Sequence, residues 1–213
     1  MENLTILTLN SPDLTDFAAA RNQLLKTVKT DWALFLDSDE TVSPALSSEI
    51  ARILNLASSP YNAFSLPRQD TFLGRTLRHG ETASVRPVRL VRVGTGRFVR
   101  PVHEVWETTK PIGALHNPLL HAPHPTISSF LAKINKYSTL EASYRYGEGR
   151  HSSLFHIAVF PFAKFLQNYF LRQGFLDGTP GFIMAVMMGF HSYLTWTKLF
   201  LLQQKHPERS RRG

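Results

Sequence analysis

Cysteine is absent from the 213 residues, which excludes disulfides and thiolate metal sites and fits a reducing compartment. Met1-Glu2-Asn3 lacks a basic n-region followed by a long apolar run, so no secretory signal is read and the amino-terminal part is expected to be cytoplasmic. Internal repeats and low-complexity segments are missing as well. Acidic residues are scarce, 16 against 24 lysines and arginines, for a formal charge of +8. That balance points to an anionic partner: nucleic acid, a membrane surface or a phosphorylated substrate. Lysine is absent between Arg68 and Arg100, where eight arginines face only Asp70 and Glu81. A planar guanidinium fork suits phosphate oxygens better than a point charge does, so a diphosphate or lipid phosphate is the reading. These arginines are not set in a recognition helix, and nucleic acid is not read as a partner.

What is present begins as a βαβ unit. "LTILTL" (Leu4 to Leu9) reads as a strand and Asn10-Ser11-Pro12 as a turn. A helix capped at Thr15/Asp16 follows, with Phe17, Ala20, Leu24 and Val28 on one face. "WALFL" is an unalternating apolar strand, as a parallel sheet covered on both sides requires. A second helix has Ser43 as its cap and Pro44 as its first residue, and runs to about Leu56. From Asn62 to Val105 short strands and turns are expected, with Pro67, Pro87 and Pro101 arguing for edges or bends. "TISSFLAKINKYSTLEASYRY" has helical spacing at Ile127, Phe130, Ile134, Tyr137 and Leu140/Glu141.

The strand ends in "DSDE", which places Asp37 and Asp39 one residue apart at the carboxyl edge of the sheet, where ligands bind in open α/β folds. Like charges that close repel unless something positive lies between them. A divalent cation is one answer, and hard oxygen ligands select Mg²⁺ or Mn²⁺. Asp37 and Asp39 are too close in sequence to flank a glycosidic bond as a hydrolase pair would. His116, His121 and His124 in "HNPLLHAPHP" fit neither a helical histidine pair nor a common zinc spacing, and are read as loop histidines.

"DFAAARNQLLKTVKTDWALFLDSDETVSP" resembles the segment of inverting, family 2 GT-A glycosyltransferases in which an Ala-Arg-Asn helix precedes the strand ending in Asp-x-Asp. "FLGRTLRHG", "RPVRLVRVGTGRFVRPVHEVWE", "AKINKYSTLEA" and "FLRQGFLDGTPGFIMAVMMGFHSYLTWTKL" are similar to lipopolysaccharide-core transferases of the WaaE type. The resemblance implies an α/β fold: a partial GT-A sheet in residues 1–125, a membrane-associated helical region in 126–204 and a basic tail in 205–213. It implies that Asp37 and Asp39 hold the metal and the nucleotide-sugar donor, with Arg21 and Asn22 beside the donor. Glu104 is the candidate general base, and His103 completes the metal shell or orients Glu104. Arg75, Arg78, His79 and Arg89 are candidates for acceptor or diphosphate contacts. The implied reaction inverts configuration at the sugar on transfer to a glycan or lipid-linked acceptor. The family normally opens with a further βαβ portion that grips the nucleotide. It has no counterpart here, so either an amino-terminally truncated chain or a protein that has lost donor binding is expected.

The tail, from Leu154 to Gln204, reads as two dense apolar helical segments separated by Gly174 to Pro180. His191 and Lys198 interrupt the longer segment, so a helical pair lying in the membrane interface is expected, with "KHPERSRRG" as a basic anchor for anionic lipid. The location implied is peripheral, on the cytoplasmic face of the inner membrane. The competing expectation is a non-catalytic remnant that binds anionic lipid.

Overall fold

The computed structural model describes residues 3–9, 14–56 and 59–205. The turn expected at Asn10-Ser11-Pro12, Ser58 and the tail beyond Lys205 lie outside the described residues. The chain divides into two compact units, one of Met1–Thr71 and Ser84–Pro123, the other of Phe72–Ala83 and His124–Gly213.

In the first unit β1 (Leu4–Leu9), α1 (Phe17–Leu25) and β2 (Trp32–Asp37) form the βαβ opening, and β3 (Glu40–Val42) leads into α2 (Pro44–Leu54). After β4 (Ala63–Ser65) and β5 (Arg68–Phe72) the chain enters the second unit at β6 (Arg75–Thr76). It returns for β7 (Val88–Arg92), β8 (Arg97–Val99), β9 (Val105–Glu107), β10 (Ile112–Ala114) and β11 (Leu119–His121). The larger sheet has the order β1-β2-β7-β4-β10. β1 and β2 run parallel, Leu4 opposite Trp32 through Leu9 opposite Asp37. β7, however, is antiparallel to both β2 and β4, so the sheet is mixed rather than mostly parallel. Antiparallel insertion lets β7 carry Arg89 back beside the carboxyl end of β2. A smaller sheet sets β11 between β3 and β5.

Both sides of β2 are covered, as its unalternating composition requires. Trp32 and Leu34 pack with Leu46 and Ile50 of α2 and with Phe64 and Leu90. Ala33 and Phe35, on the opposite face, pack with Ala18 of α1, Val91, Phe98 and Trp106. The helix caps are as the sequence indicates: Asp16 accepts from Ala19 N at 2.8 Å and Ser43 Oγ from Leu46 N at 3.2 Å. Leu24 and Val28, on the expected face of α1, pack against the cluster of Ala33 and Phe35. The buried residues of α1 are Ala18 and Arg21 rather than Phe17 and Ala20, because the Arg21 guanidinium is paired with carboxylates and can leave water.

Glu49 of α2 orders the approach to β11. Its carboxylate accepts from the backbone N–H groups of His116 (3.0 Å) and Asn117 (2.9 Å), from Asn117 Nδ2 at 2.8 Å, and lies 3.1 Å from His116 Nδ1. Burial favours its neutral acid, but these hydrogen bonds prevail and lower its pKa from 4.5 to about 2. The stability so gained, about 3 kcal/mol by linkage, is present above pH 4.5 and is lost as pH falls towards 2. Glu49→Gln therefore costs about 2–3 kcal/mol at pH 7. Urea midpoints at pH 7 and pH 3 check this, since the deficit narrows at the lower pH.

The second unit is helical: α3 (Ile127–Gly147), α4 (Leu154–Leu166) and α5 (Gly178–Lys205), with a π-helical turn at Gln167–Leu171 and a 3-10 turn at Gly174–Asp177 before α5. A capping box between Thr126 and Ser129 starts α3, which buries Phe130 and Ile134. Lys198 Nζ joins α5 to α3 through Asn135 O, Asn135 Oδ1, Ser138 Oγ and Thr139 Oγ1. A Cβ on Gly181 would clash with the Gly174 carbonyl oxygen, so the close return of α5 onto the preceding turn requires glycine. No described helix is long and apolar enough to cross a membrane.

Candidate active site

Arg21 points from α1 to the end of β2, with 1% of its side chain exposed. Its Nη2 donates to Asp37 Oδ1 at 2.7 Å and its Nε to Glu104 Oε1 at 2.7 Å. Phe35 and Phe98 lie 5.3 and 5.7 Å from the guanidinium carbon, so the charge is held over aromatic faces. From β7, Arg89 Nη2 donates to Asp37 Oδ2 and, at 2.9 Å, to Glu40 Oε1. Arg89 Nη1 lies 3.7 Å from Glu104 Oε1. Glu40 Oε2 in turn accepts from Asp37 N at 2.9 Å. Two arginines and three carboxylates thus form one cluster at the β2 edge.

This cluster supplies the positive charge that neighbouring aspartates need. Burial favours the neutral acid of Asp37, but Arg89 and then Arg21 hold its carboxyl below the usual range. Arg89 is itself raised, burial opposing its charge and Asp37 and Glu40 sustaining it. Asp39 is balanced differently. Its Oδ1 lies 3.5 Å from His121 Nε2, and His121 Nδ1 lies 2.9 Å from Asp70 Oδ1. Arg68 pairs with Asp70, from Nε at 2.9 Å and from Nη2 at 3.2 Å. Burial raises the Asp70 pKa, but His121 and Arg68 outweigh it, so Asp70 is ionised and can only accept. Nδ1 of His121 therefore carries a proton and Nε2 faces Asp39. Burial works against a charged ring here, yet Asp39 and Asp70 raise the His121 pKa.

The residues singled out in the sequence are thus divided. Arg21, Asp37, Glu104 and Arg89 come together. Asn22, expected beside the donor, uses both ends of its amide on β8: Nδ2 donates to Phe98 O at 2.8 Å and Oδ1 accepts from Phe98 N at 2.9 Å. Arg89, expected at the acceptor, is 4% exposed and engaged with carboxylates. His103 is exposed on the β8–β9 loop in a left-handed conformation, φ 52°, as is Arg100 at φ 75°. Arg75, Arg78 and His79 belong to the helical unit. There the His79 ring lies 2.9 Å from Asp177 Oδ1, and the backbone N–H groups of Arg78 and His79 donate to Asp177 Oδ2.

Glu40, Asp70 and His121 complete the cluster without belonging to a motif of their own. Glu40 is visible in "DSDE" but stands outside the Asp-x-Asp pattern. His121 was grouped with His116 and His124, yet these three meet Glu49, Asp70 and Phe130 separately.

Among the described residues, no three His, Asp, Glu or Cys side chains converge in a way that could hold a metal ion. Both oxygens of Asp37 accept from arginine, which leaves each one further lone pair. Asp39 Oδ1 and His121 Nε2 lie 3.5 Å apart and could serve as a pair of donors once the ring gives up its Nε2 proton, with Asp70 fixing the imidazole from behind.

No family model matches the chain. It is 27% identical over 198 residues to the lipopolysaccharide core biosynthesis glycosyltransferase LpsC of Rhizobium meliloti, covering 92% of this chain and 72% of LpsC. The chain is a homologue of bacterial glycosyltransferases. Uncharacterised glycosyltransferases of Rickettsia typhi and Rickettsia conorii match at 25% and 24% identity, over 82% and 79% of this chain. It spans 64% of the length of each of those two relatives.

Proposed function

We propose that this homologue works as an inverting, family 2 glycosyltransferase with a GT-A-type nucleotide-sugar site. It would transfer a sugar to a glycan or lipid-linked acceptor of the lipopolysaccharide type. The observation that carries the reading is the state of Glu104. Its Oε1 is anchored by Arg21, its side chain is 17% exposed, and Oε2 has no hydrogen-bond partner among the described residues. A carboxylate with one oxygen fixed and the other open is suited to take a proton from a positioned hydroxyl. In the displacement, the acceptor O–H gives its proton to Glu104 while its oxygen bonds to the anomeric carbon. The bond from that carbon to the diphosphate breaks, and the electron pair leaves with the nucleoside diphosphate. Asp37 and Arg21 fix the base and the floor of the site, so positioning does much of the work.

Asp39 and His121 would hold Mg²⁺ or Mn²⁺, which when bound supplies Lewis-acid stabilisation of the diphosphate. The names of the relatives support a transferase and give no support to a non-catalytic remnant. Calorimetry with a panel of nucleotide sugars, in Mn²⁺ and in chelator, tests the proposal. Asp39→Asn and chelation should each weaken binding of the cognate donor by about tenfold or more. Failure to bind any nucleotide sugar, or binding indifferent to both changes, overturns it.

A further inference from the structure

Aspartates one residue apart would share a face if β2 simply ran on, because side chains two positions apart in an extended chain point the same way. Asp37 and Asp39 do not. Asp37 meets Arg21 and Arg89, whereas Asp39 meets His121 of the smaller sheet. They part at the turn of Ser38 and Asp39 that separates β2 from β3. Glu40 closes this turn. Its Oε2 reaches back three residues to accept from Asp37 N at 2.9 Å, and its Oε1 accepts at 2.9 Å from the same Arg89 Nη2 that donates to Asp37 Oδ2. On the other side of the turn Asp39 O accepts from Ala122 N at 3.1 Å, and Glu40 stands opposite His121 in the β3–β11 register.

With no exposed side-chain surface, Glu40 cannot meet a ligand itself. A carboxylate so placed is tolerated only where donors converge on it, and here they are Arg89 and the backbone of the Asp-Ser-Asp turn. Its influence therefore passes through its neighbours.

We propose that Glu40 is a positioning residue: by bracing the turn from Asp37 to Glu40 it aims Asp39 at His121 Nε2 and sets the spacing of the pair that receives the cation. This role rests on the cation site of the transferase reading and deepens it. Glu40→Gln keeps the length of the side chain but offers a single acceptor where two donors converge, so an amide N–H faces either Asp37 N or Arg89. The probe is Mn²⁺ alone, added to the full chain without donor and read from water-proton relaxation. Binding should weaken at least about tenfold in Glu40→Gln, as is usual when a group that orients a metal ligand is lost. Circular dichroism establishes that the variant is folded at the temperature used. Glu40→Asp, with both acceptor oxygens on a shorter stem, should weaken binding by a smaller factor and serves as the test where Glu40→Gln does not fold. In a His121→Ala background, where the pair is already broken, Glu40→Gln should weaken the remaining binding by less than about threefold. A general loosening of the chain would instead add its full effect there. Unchanged Mn²⁺ affinity in the folded variants, or full additivity with His121→Ala, overturns the positioning role and leaves the cation pair standing. Absence of Mn²⁺ binding by the wild-type chain removes the cation pair and this role together.

Discussion

Glu104→Gln is expected to lower sugar transfer by about 10²–10⁴-fold while leaving donor affinity within about threefold. Glutamine keeps an oxygen where Oε1 accepts from Arg21 Nε, so the cluster retains its shape. What disappears is the capacity to take a proton from the acceptor. Arg21 lies between the base and Asp37, 2.7 Å from each, so Arg21→Lys makes a second arm. A single ammonium cannot reproduce the two directed N–H groups that hold both carboxylates, and transfer should fall with the base still present. Glu104→Asp shortens the reach and should recover only part of the rate. Transfer measured with saturating donor, alongside donor binding by calorimetry, separates these effects. Activity within tenfold of wild type in Glu104→Gln would put the base elsewhere.

The first half of the fold was legible because its signals are local. The β-branched run at Leu4–Leu9, the Ser43-Pro44 start of α2 and the continuous apolar run of β2 each declare an element over a few residues. The order of the sheet was not legible in the same way. Whether β7 pairs parallel or antiparallel depends on contacts between residues more than fifty positions apart, such as Leu34 with Leu90. No periodicity within "VRLVR" carries that choice.

The site was legible where chemistry comes as a motif and obscure where it comes by juxtaposition. Asp37 and Asp39 stood out, but their environments could not be read from a spacing of two. Asp37 meets Arg89 from across the sheet and Asp39 meets His121 from another sheet. Arginines read in bulk as phosphate contacts proved to have several uses. Arg89 is buried among acids, Arg68 is paired with Asp70, and Arg97 lies on the surface with Glu107.

Arg89→Ala is expected to cost about 3–5 kcal/mol at neutral pH, the usual penalty for removing one partner from a buried ionic group. Three carboxylates, Asp37, Glu40 and Glu104, depend on that guanidinium, and Glu40 has no exposed side-chain surface through which water could replace it. Arg89→Met fills the volume yet strands the same charges, so it should be nearly as damaging. That outcome separates electrostatics from cavity formation. Adding Glu40→Gln to Arg89→Met should recover part of the loss, a non-additivity that a double-mutant cycle measures. The pH dependence follows from Asp37, whose folded pKa lies below the ordinary 3.8 because Arg89 and Arg21 overcome burial. Its contribution is present above that ordinary value and is lost as pH falls through the folded one. Without Arg89 the depression largely disappears, so the variant's deficit is greatest near neutrality and narrows in acid, where protonation neutralises the stranded carboxylate. Urea midpoints at pH 7 and pH 4 read both effects. A deficit under about 1 kcal/mol at pH 7, typical of an exposed pair, would mean that water reaches these carboxylates, and that the β2 edge is a solvated surface rather than a preorganised floor for catalysis.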